Sequence, residues 1–204
     1  LPPAAVHWAK VGILDTVGVT LAGSNDPSAT IVAGVLSSGG QSLLLGTRKR
    51  VGALDAALVN GTASHALDFD DCNNTLGGHP SAPILPALFA LADETGATGR
   101  DFITAYVAGF ETECKISLGV NFYQYTRGWH PSTTIGVFGA AAACAKLLKL
   151  DDARTATALA IAASLASGIK SNFGTYVKPL HVGHCARNGL FAALLARDDY
   201  TASP

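Results

Sequence analysis

Between His65 and Pro83 the chain reads His-Ala-Leu-Asp-Phe-Asp-Asp-Cys-Asn-Asn-Thr-Leu-Gly-Gly-His-Pro-Ser-Ala-Pro. Three carboxylates (Asp68, Asp70, Asp71), a thiol (Cys72) and an imidazole (His79) thus fall in one short stretch flanked almost wholly by Ala, Leu, Val and Gly. Only 14% of the 204 residues are charged. So many proton-transfer groups in such a chain are costly to fold around unless they are partnered or used. A carboxylate here can act as a general base or orient an imidazole. It can equally end one helix and cap the next turn, as Asp commonly does. Asp68 is taken as the catalytic member, and Asp70 and Asp71 as structural. With the segment extended, Phe69 would pack inward and leave Asp68 and Asp70 on one side.

His79 and His130 each precede a proline, which disfavours helical backbone for the residue before it and holds each imidazole at a loop-to-helix junction. A histidine there can donate to a carboxylate or shuttle a proton near neutral pH. A single such residue is more often a satisfied structural one, but His-Pro-Ser occurs twice. Both copies stand before an expected helix, whose N–H groups and partial positive charge face whatever lies in front. Lys178, followed by Pro179, is a suitable anchor for a substrate carboxylate. His181, His184 and Cys185 have the spacing of a metal-binding helix face. No Glu follows the first His as in zinc proteases, however, and a thiol in an Ala-rich helix ordinarily packs, so no metal is assigned. Glycine fingerprints for nucleotides and the Gly-x-Ser-x-Gly elbow are absent. Acid–base chemistry remains.

The elements that must position these groups read as helices. Apolar residues at Val6, Ala9, Ile13, Val17 and Leu21 mark one face of a helix over 3–22. Asp26 and Pro27 start a second, ending at Gly39-Gly40. Gln41 to Gly46 can be extended, and 48–50 turns into a third helix over 53–67. Ser81 opens the next, with Pro83 and Pro86 placed in its first turn, where missing N–H groups are harmless. Thr98 and Asp101 have capping-box spacing for a long helix to about Ser117. An aromatic loop follows from Asn121 to Trp129, then helices over 133–148, from Asp151-Asp152 to Gly168, and from Lys178 to about Arg197. The sum is about eight helices and almost no sheet: an all-α chain.

Hydrophobic residues make up 49% and mean hydropathy is +0.30, which excludes a disordered chain, and 22 glycines with many alanines suggest closely packed helices. A net charge of −1 without long basic runs makes neither nucleic acid nor an anionic membrane surface an evident partner. Four scattered cysteines read as reduced thiols of a cytoplasmic protein. No signal peptide or spanning apolar run is seen.

Asp68-Phe-Asp-Asp followed by His79-Pro-Ser, then Gly128-Trp-His130-Pro-Ser-Thr, then Lys178-Pro-Leu-His181 with Asn188-Gly189 behind it, resembles the MmgE/PrpD family. Leu14-Asp15-Thr-Val-Gly18 and Asn60-Gly61 with His65 extend the match over essentially the whole chain. The family includes 2-methylcitrate dehydratase, cis-aconitate decarboxylase and iminodisuccinate epimerase. The resemblance implies a helical domain followed by a smaller α+β lid, with the active site in the cleft between them. Residues 1–204 would then be a single helical domain, excerpted from a longer two-domain chain that Pro204 interrupts. Carried over by motif, Asp68, His79, His130 and Lys178 are the catalytic candidates on the helical wall, and His181 is a substrate contact. No metal or organic cofactor is implied, and the substrate is a small di- or tricarboxylate.

Family lyases commonly carry Thr after Asp-Phe-Asp-Asp, where this chain has Cys72, a further substrate-contact candidate. A thiol is a poorer hydrogen-bond donor than a hydroxyl. That tilts the expectation slightly toward epimerisation over dehydration or decarboxylation. All three need cations beside developing negative charge. A reading from another class is a non-catalytic helical module that pairs as a homodimer. It predicts that Asp68, His79, His130 and Lys178 lie scattered over the surface.

Overall fold

Small residues decide how closely the helices approach one another. The computed structural model describes residues 1–36, 39–120 and 122–203. Its helices are α1 (Pro3–Gly23), α2 (Pro27–Gly34), α3 (Ala53–His65), α4 (Ser81–Thr95), α5 (Gly99–Val120), α6 (Tyr123–Thr126), α7 (Pro131–Thr134), α8 (Gly136–Leu147), α9 (Asp152–Leu165) and α10 (Val177–Arg197). Two short antiparallel strands, β1 (Ser42–Leu43) and β2 (Arg50–Val51), pair Ser42 with Val51 and Leu43 with Arg50. The all-α expectation holds. None of the described helices is long and apolar enough to cross a membrane.

The core is a layer of α3, α4, α8 and α10, with α5 against α8 and α1 against α3. Ala56, Ala57, Ile84, Leu85, Leu88, Ala140, Ala143, Ala186, Leu190 and Ala193 fill it. The most extensive crossing among the described residues is α3 on α10. A Cβ on Gly61 would lie 2.7 Å from Gly183 Cα, and one on Gly183 would run into the Leu58 carbonyl oxygen and Thr62 Oγ1. Only glycine allows this approach. It brings the C-terminal end of α3, at His65, beside the N-terminal turns of α10, which carry Lys178 and His181.

The expected caps form. Asp26 accepts from the Ser28 N–H at 2.8 Å and Asp151 from the Arg154 N–H at 2.8 Å, while Thr98 Oγ1 accepts from the Asp101 N–H at 3.2 Å. Several boundaries differ. α2 stops at Gly34, short of Gly39-Gly40, and residues 37 and 38 lie outside those described. Arg50 is not in a turn but in β2. α3 ends at His65, short of the expected residue 67, and just beyond it Asp68 adopts the left-handed region, with φ of 53°. Pro86 sits inside α4, past its first turn. α5 continues to Val120, and Asn121 lies outside the described residues. The helix expected over 133–148 is broken at Ile135 into α7 and α8. α9 stops at Leu165, where Ala166 turns extended.

Glu113 of α5 is fully buried, and neither carboxylate oxygen has a hydrogen-bond partner. Burial pushes its pKa well above the ordinary 4.5, with Asp71 adding to the rise. The folded protein therefore keeps a proton that the unfolded chain releases once pH passes that ordinary value. Stability falls as pH climbs, by at most about 1.4 kcal/mol per unit. Glu113→Gln is expected to flatten this decline in urea unfolding between about pH 5 and about pH 8. An unchanged slope would show that Glu113 is not the group responsible.

Candidate functional site

The left-handed turn at Asp68 separates the two carboxylates that an extended strand would have placed together. Phe69 is not packed inward but 79% exposed, Asp68 is exposed, and Asp70 is buried. Asp70 points back beneath α3. Both its oxygens lie 2.9 Å from His65 Nδ1, and Oδ2 lies 3.2 Å from His79 Nδ1. An ionised carboxylate only accepts, so the ring nitrogens facing it carry hydrogen. Burial alone would raise the Asp70 pKa, but these two imidazole hydrogen bonds outweigh it and hold the carboxyl well below the carboxylate range. Asp70, expected to be structural, is thus the carboxylate that orients His79. Asp68 only approaches the far side of that ring, at 3.5 Å from Nε2.

Asp68 is instead ion-paired with the Lys178 ammonium. Burial would raise its pKa, yet the hydrogen bond and charge of Lys178 bring it below the usual value. Lys178 projects from the first turn of α10, with Nζ 5.2 Å from the Phe173 ring centroid. Asp71 faces away. It accepts from the backbone N–H and hydroxyl of Ser81, whose Oγ also meets Tyr106 Oη at 2.5 Å. The first free N–H of α4 is therefore already taken by Asp71. α7 is only one turn long. The helix starts after the two His-Pro-Ser segments are not the open anion sites the sequence suggested.

The two segments nevertheless lock together, because the His79 N–H donates to Ser132 Oγ at 3.0 Å. His130, which caps α7, is held by its own N–H donating to the Gly168 carbonyl at 3.0 Å. Gly168 has φ of 116°, and a Cβ there would strike Thr133 Oγ1. The His130 ring stands edge-on to Phe173 at 4.9 Å and 5.7 Å from the rings of both His65 and His181, with Nδ1 3.4 Å from His181 Nδ1. His65 in turn lies 4.7 Å from the His79 ring. Four imidazoles make a continuous row beside the Lys178–Asp68 pair.

Their protonation differs with their neighbours. Burial would lower the His79 pKa, but Asp70 and Asp68 more than compensate and raise it. Burial pulls His130 down to about 2, helped by the positive potential of His65, His181, Lys178 and His79. His181 is lowered by burial, then by His184 and His65. The site therefore offers one imidazole biased toward its protonated form, His79, the Lys178 amine paired with Asp68, and two imidazoles biased toward the neutral form. Cys72 lies over the His79 ring, Sγ 3.7 Å and 3.9 Å from its two nitrogens; burial, then Asp70, Asp71 and Asp68, keeps it a thiol.

All six candidate residues thus fall in one cluster, and the scattering expected of a non-catalytic module is not found. His65 and Asp70 complete the cluster. In the sequence His65 stands out only as part of a motif, since a histidine on the last turn of a helix carries no spacing signal of its own. The His181, His184 and Cys185 face does not assemble: His184 meets Ser167 and Asn188, while Cys185 Sγ donates to the Thr133 carbonyl. Among the described residues, His65, Asp68, Asp70 and His79 are close enough to share a cation, but a cation there would have to displace Lys178 from Asp68. A groove of about 520 Å³ between α1 and α5 reaches Asp71 and Cys72 from the other side, without touching the imidazoles.

The model of the MmgE/PrpD N-terminal domain matches residues 1–204. The cis-aconitate decarboxylase-like protein oryM of Aspergillus oryzae is 34% identical over 98% of this chain and 44% of its own length. Human cis-aconitate decarboxylase is 34% identical over 94% of this chain and 44% of its own. A cis-aconitate decarboxylase of Aspergillus terreus is 32% identical over 99% and 43%. The chain spans less than half the length of these relatives.

Proposed function

The chain belongs to the MmgE/PrpD family, and from that premise we propose that the protein is a lyase that removes carbon dioxide from a small unsaturated tricarboxylate, with cis-aconitate as the first choice. The observation that carries the reading is His79, bonded to Asp70 with its pKa raised, and sharing Asp68 Oδ1 with Lys178. A second, α+β domain closing over the cluster belongs to the same proposal.

Breaking the bond to the departing carboxylate leaves an electron pair. In cis-aconitate that pair shifts through the double bond to the carbon beside another carboxylate. One proton must be delivered there, giving a five-carbon unsaturated dicarboxylate and carbon dioxide. Lys178 would hold a substrate carboxylate and stabilise the developing charge. His79 would supply the proton, and be recharged from solvent. His130 and His181, neutral and therefore not repelled by Lys178, would donate hydrogen bonds to the remaining carboxylates. The identity of the relatives moves the reading away from the epimerase tilt that Cys72 suggested. Decarboxylation eliminates no hydroxyl, so it makes less demand on the donor that Cys72 replaces.

The test is a panel of polycarboxylates (cis-aconitate, a methylcitrate and an amino-substituted succinate) offered to the whole protein without added metal. Carbon dioxide should be released from cis-aconitate, and the rate should fall as pH rises past the His79 pKa, where the acid loses its proton. Water loss from the methylcitrate alone would replace decarboxylation with dehydration.

A further inference from the structure

His65 has no part in the chemistry just described, yet its environment is more constrained than that of any other imidazole in the row. Its side chain is wholly excluded from solvent, Nδ1 is bonded to both oxygens of Asp70, and Nε2 is buried with no hydrogen-bond partner, 3.8 Å from Asp68 Oδ1. A buried polar atom left unpaired is costly, so a side chain that only filled space here would more stably be apolar. Because Nε2 is sealed, His65 cannot touch a substrate. What it does touch is Asp70, the carboxylate shared with His79.

We propose that His65 is a positioning residue: it divides the charge of Asp70 between two imidazoles, and so fixes both the orientation of His79 and the ease with which His79 gives up its proton. This rests on His79 being the acid. Asp70 has two oxygens and two imidazole donors. With the His65 donor present, the carboxylate holds His79 less tightly than it would alone. With the donor gone, the full negative charge falls on His79, which becomes a weaker acid. The other groups facing His79 are Asp68 and Cys72 on its own loop, Lys178 on α10 and His130 at the start of α7. None of them bonds to the Asp70 carboxylate.

Two near-isosteres separate this role from mere packing. Asn at position 65 can place its amide N–H where Nδ1–H stands and keep the Asp70 bond, whereas Gln places its amide near Nε2 and loses that bond. In the whole protein with nitrogen-labelled histidine, His65→Gln is expected to raise the His79 pKa read by NMR by about one unit. The alkaline limb of the pH–rate profile should move by the same amount, and kcat should fall about tenfold with KM little changed. His65→Asn should restore both the pKa and kcat to within about threefold of the native protein. The NMR titration needs no turnover, so it reads His65 even if the decarboxylase reading fails. Equal His79 titrations in native protein and His65→Gln would overturn the proposal, as would Asn behaving like Gln. Should His65→Gln not fold, the native protein decides: a slowly exchanging proton on His65 Nδ1 is expected, and a bare Nδ1 would overturn the role.

Discussion

Replacing Lys178 by Met is expected to lower kcat/KM for cis-aconitate by about a thousandfold while leaving the fold standing. Lys178 is the ammonium of the cluster and is paired with Asp68. Its loss removes the charge that meets the substrate carboxylate and also leaves Asp68 unneutralised, so an anionic substrate enters against a free carboxylate. Removing one preorganised donor from such a site ordinarily costs a hundred- to a thousandfold, and the exposed Asp68 adds repulsion. The fold is spared because Asp68 can be hydrated once its partner is gone. Lys178→Arg should not rescue activity, since a planar fork does not replace a compact ammonium over Phe173. Steady-state kinetics with a matched melting curve measures both. A loss smaller than about tenfold would take Lys178 out of the machinery.

The second large effect is on folding. Gly183→Val is expected to destabilise the chain by about 3 kcal/mol or more, enough to leave much of it unfolded at body temperature. Gly183 of α10 lies against the backbone of α3 at Leu58 and Thr62, and the atoms a side chain would meet include a carbonyl oxygen that cannot rotate away. Gly183→Ala should cost about 2 kcal/mol, the overpacking being partly offset by about 1 kcal/mol of helix propensity. Gly18 of α1 is the internal control. No atom lies within 4 Å of a Cβ built there, so Gly18→Ala should stabilise by roughly 0.5–1 kcal/mol. Denaturant unfolding of the three variants would decide. Equal effects at Gly18 and Gly183 would mean that the α3–α10 crossing is looser than described.

What the sequence made legible follows from how local each signal is. The Val6, Ala9, Ile13, Val17 and Leu21 spacing gives α1, and the Asp26, Thr98 and Asp151 caps give three helix starts, because both signals act within a turn or two. The three candidates of the His-Pro and Lys-Pro motifs, His79, His130 and Lys178, were recognisable by type and context. Their partners were not. Asp68 and Asp70, which an extended segment would place on one side, part company because Asp68 takes a left-handed φ that nothing in Asp-Phe-Asp-Asp announces. That single turn sends Asp68 outward to Lys178 and Asp70 inward to His65 and His79. The bond from the His79 N–H to Ser132 Oγ spans 53 residues, and no local pattern encodes it. Boundaries failed where no capping side chain marks them, as at Ile135 between α7 and α8.

The proposed reaction is decarboxylation of a tricarboxylate by this row of imidazoles, with Asp68, Asp70 and Lys178, the proton coming from His79. It is tested most directly by following cis-aconitate with the whole protein in deuterium oxide by proton and carbon NMR. The proposed chemistry predicts carbon dioxide and a five-carbon unsaturated dicarboxylate carrying one deuterium, on the methylene carbon beside a carboxylate. Deuterium exchange into cis-aconitate with no loss of carbon dioxide, or no reaction at all, would contradict it.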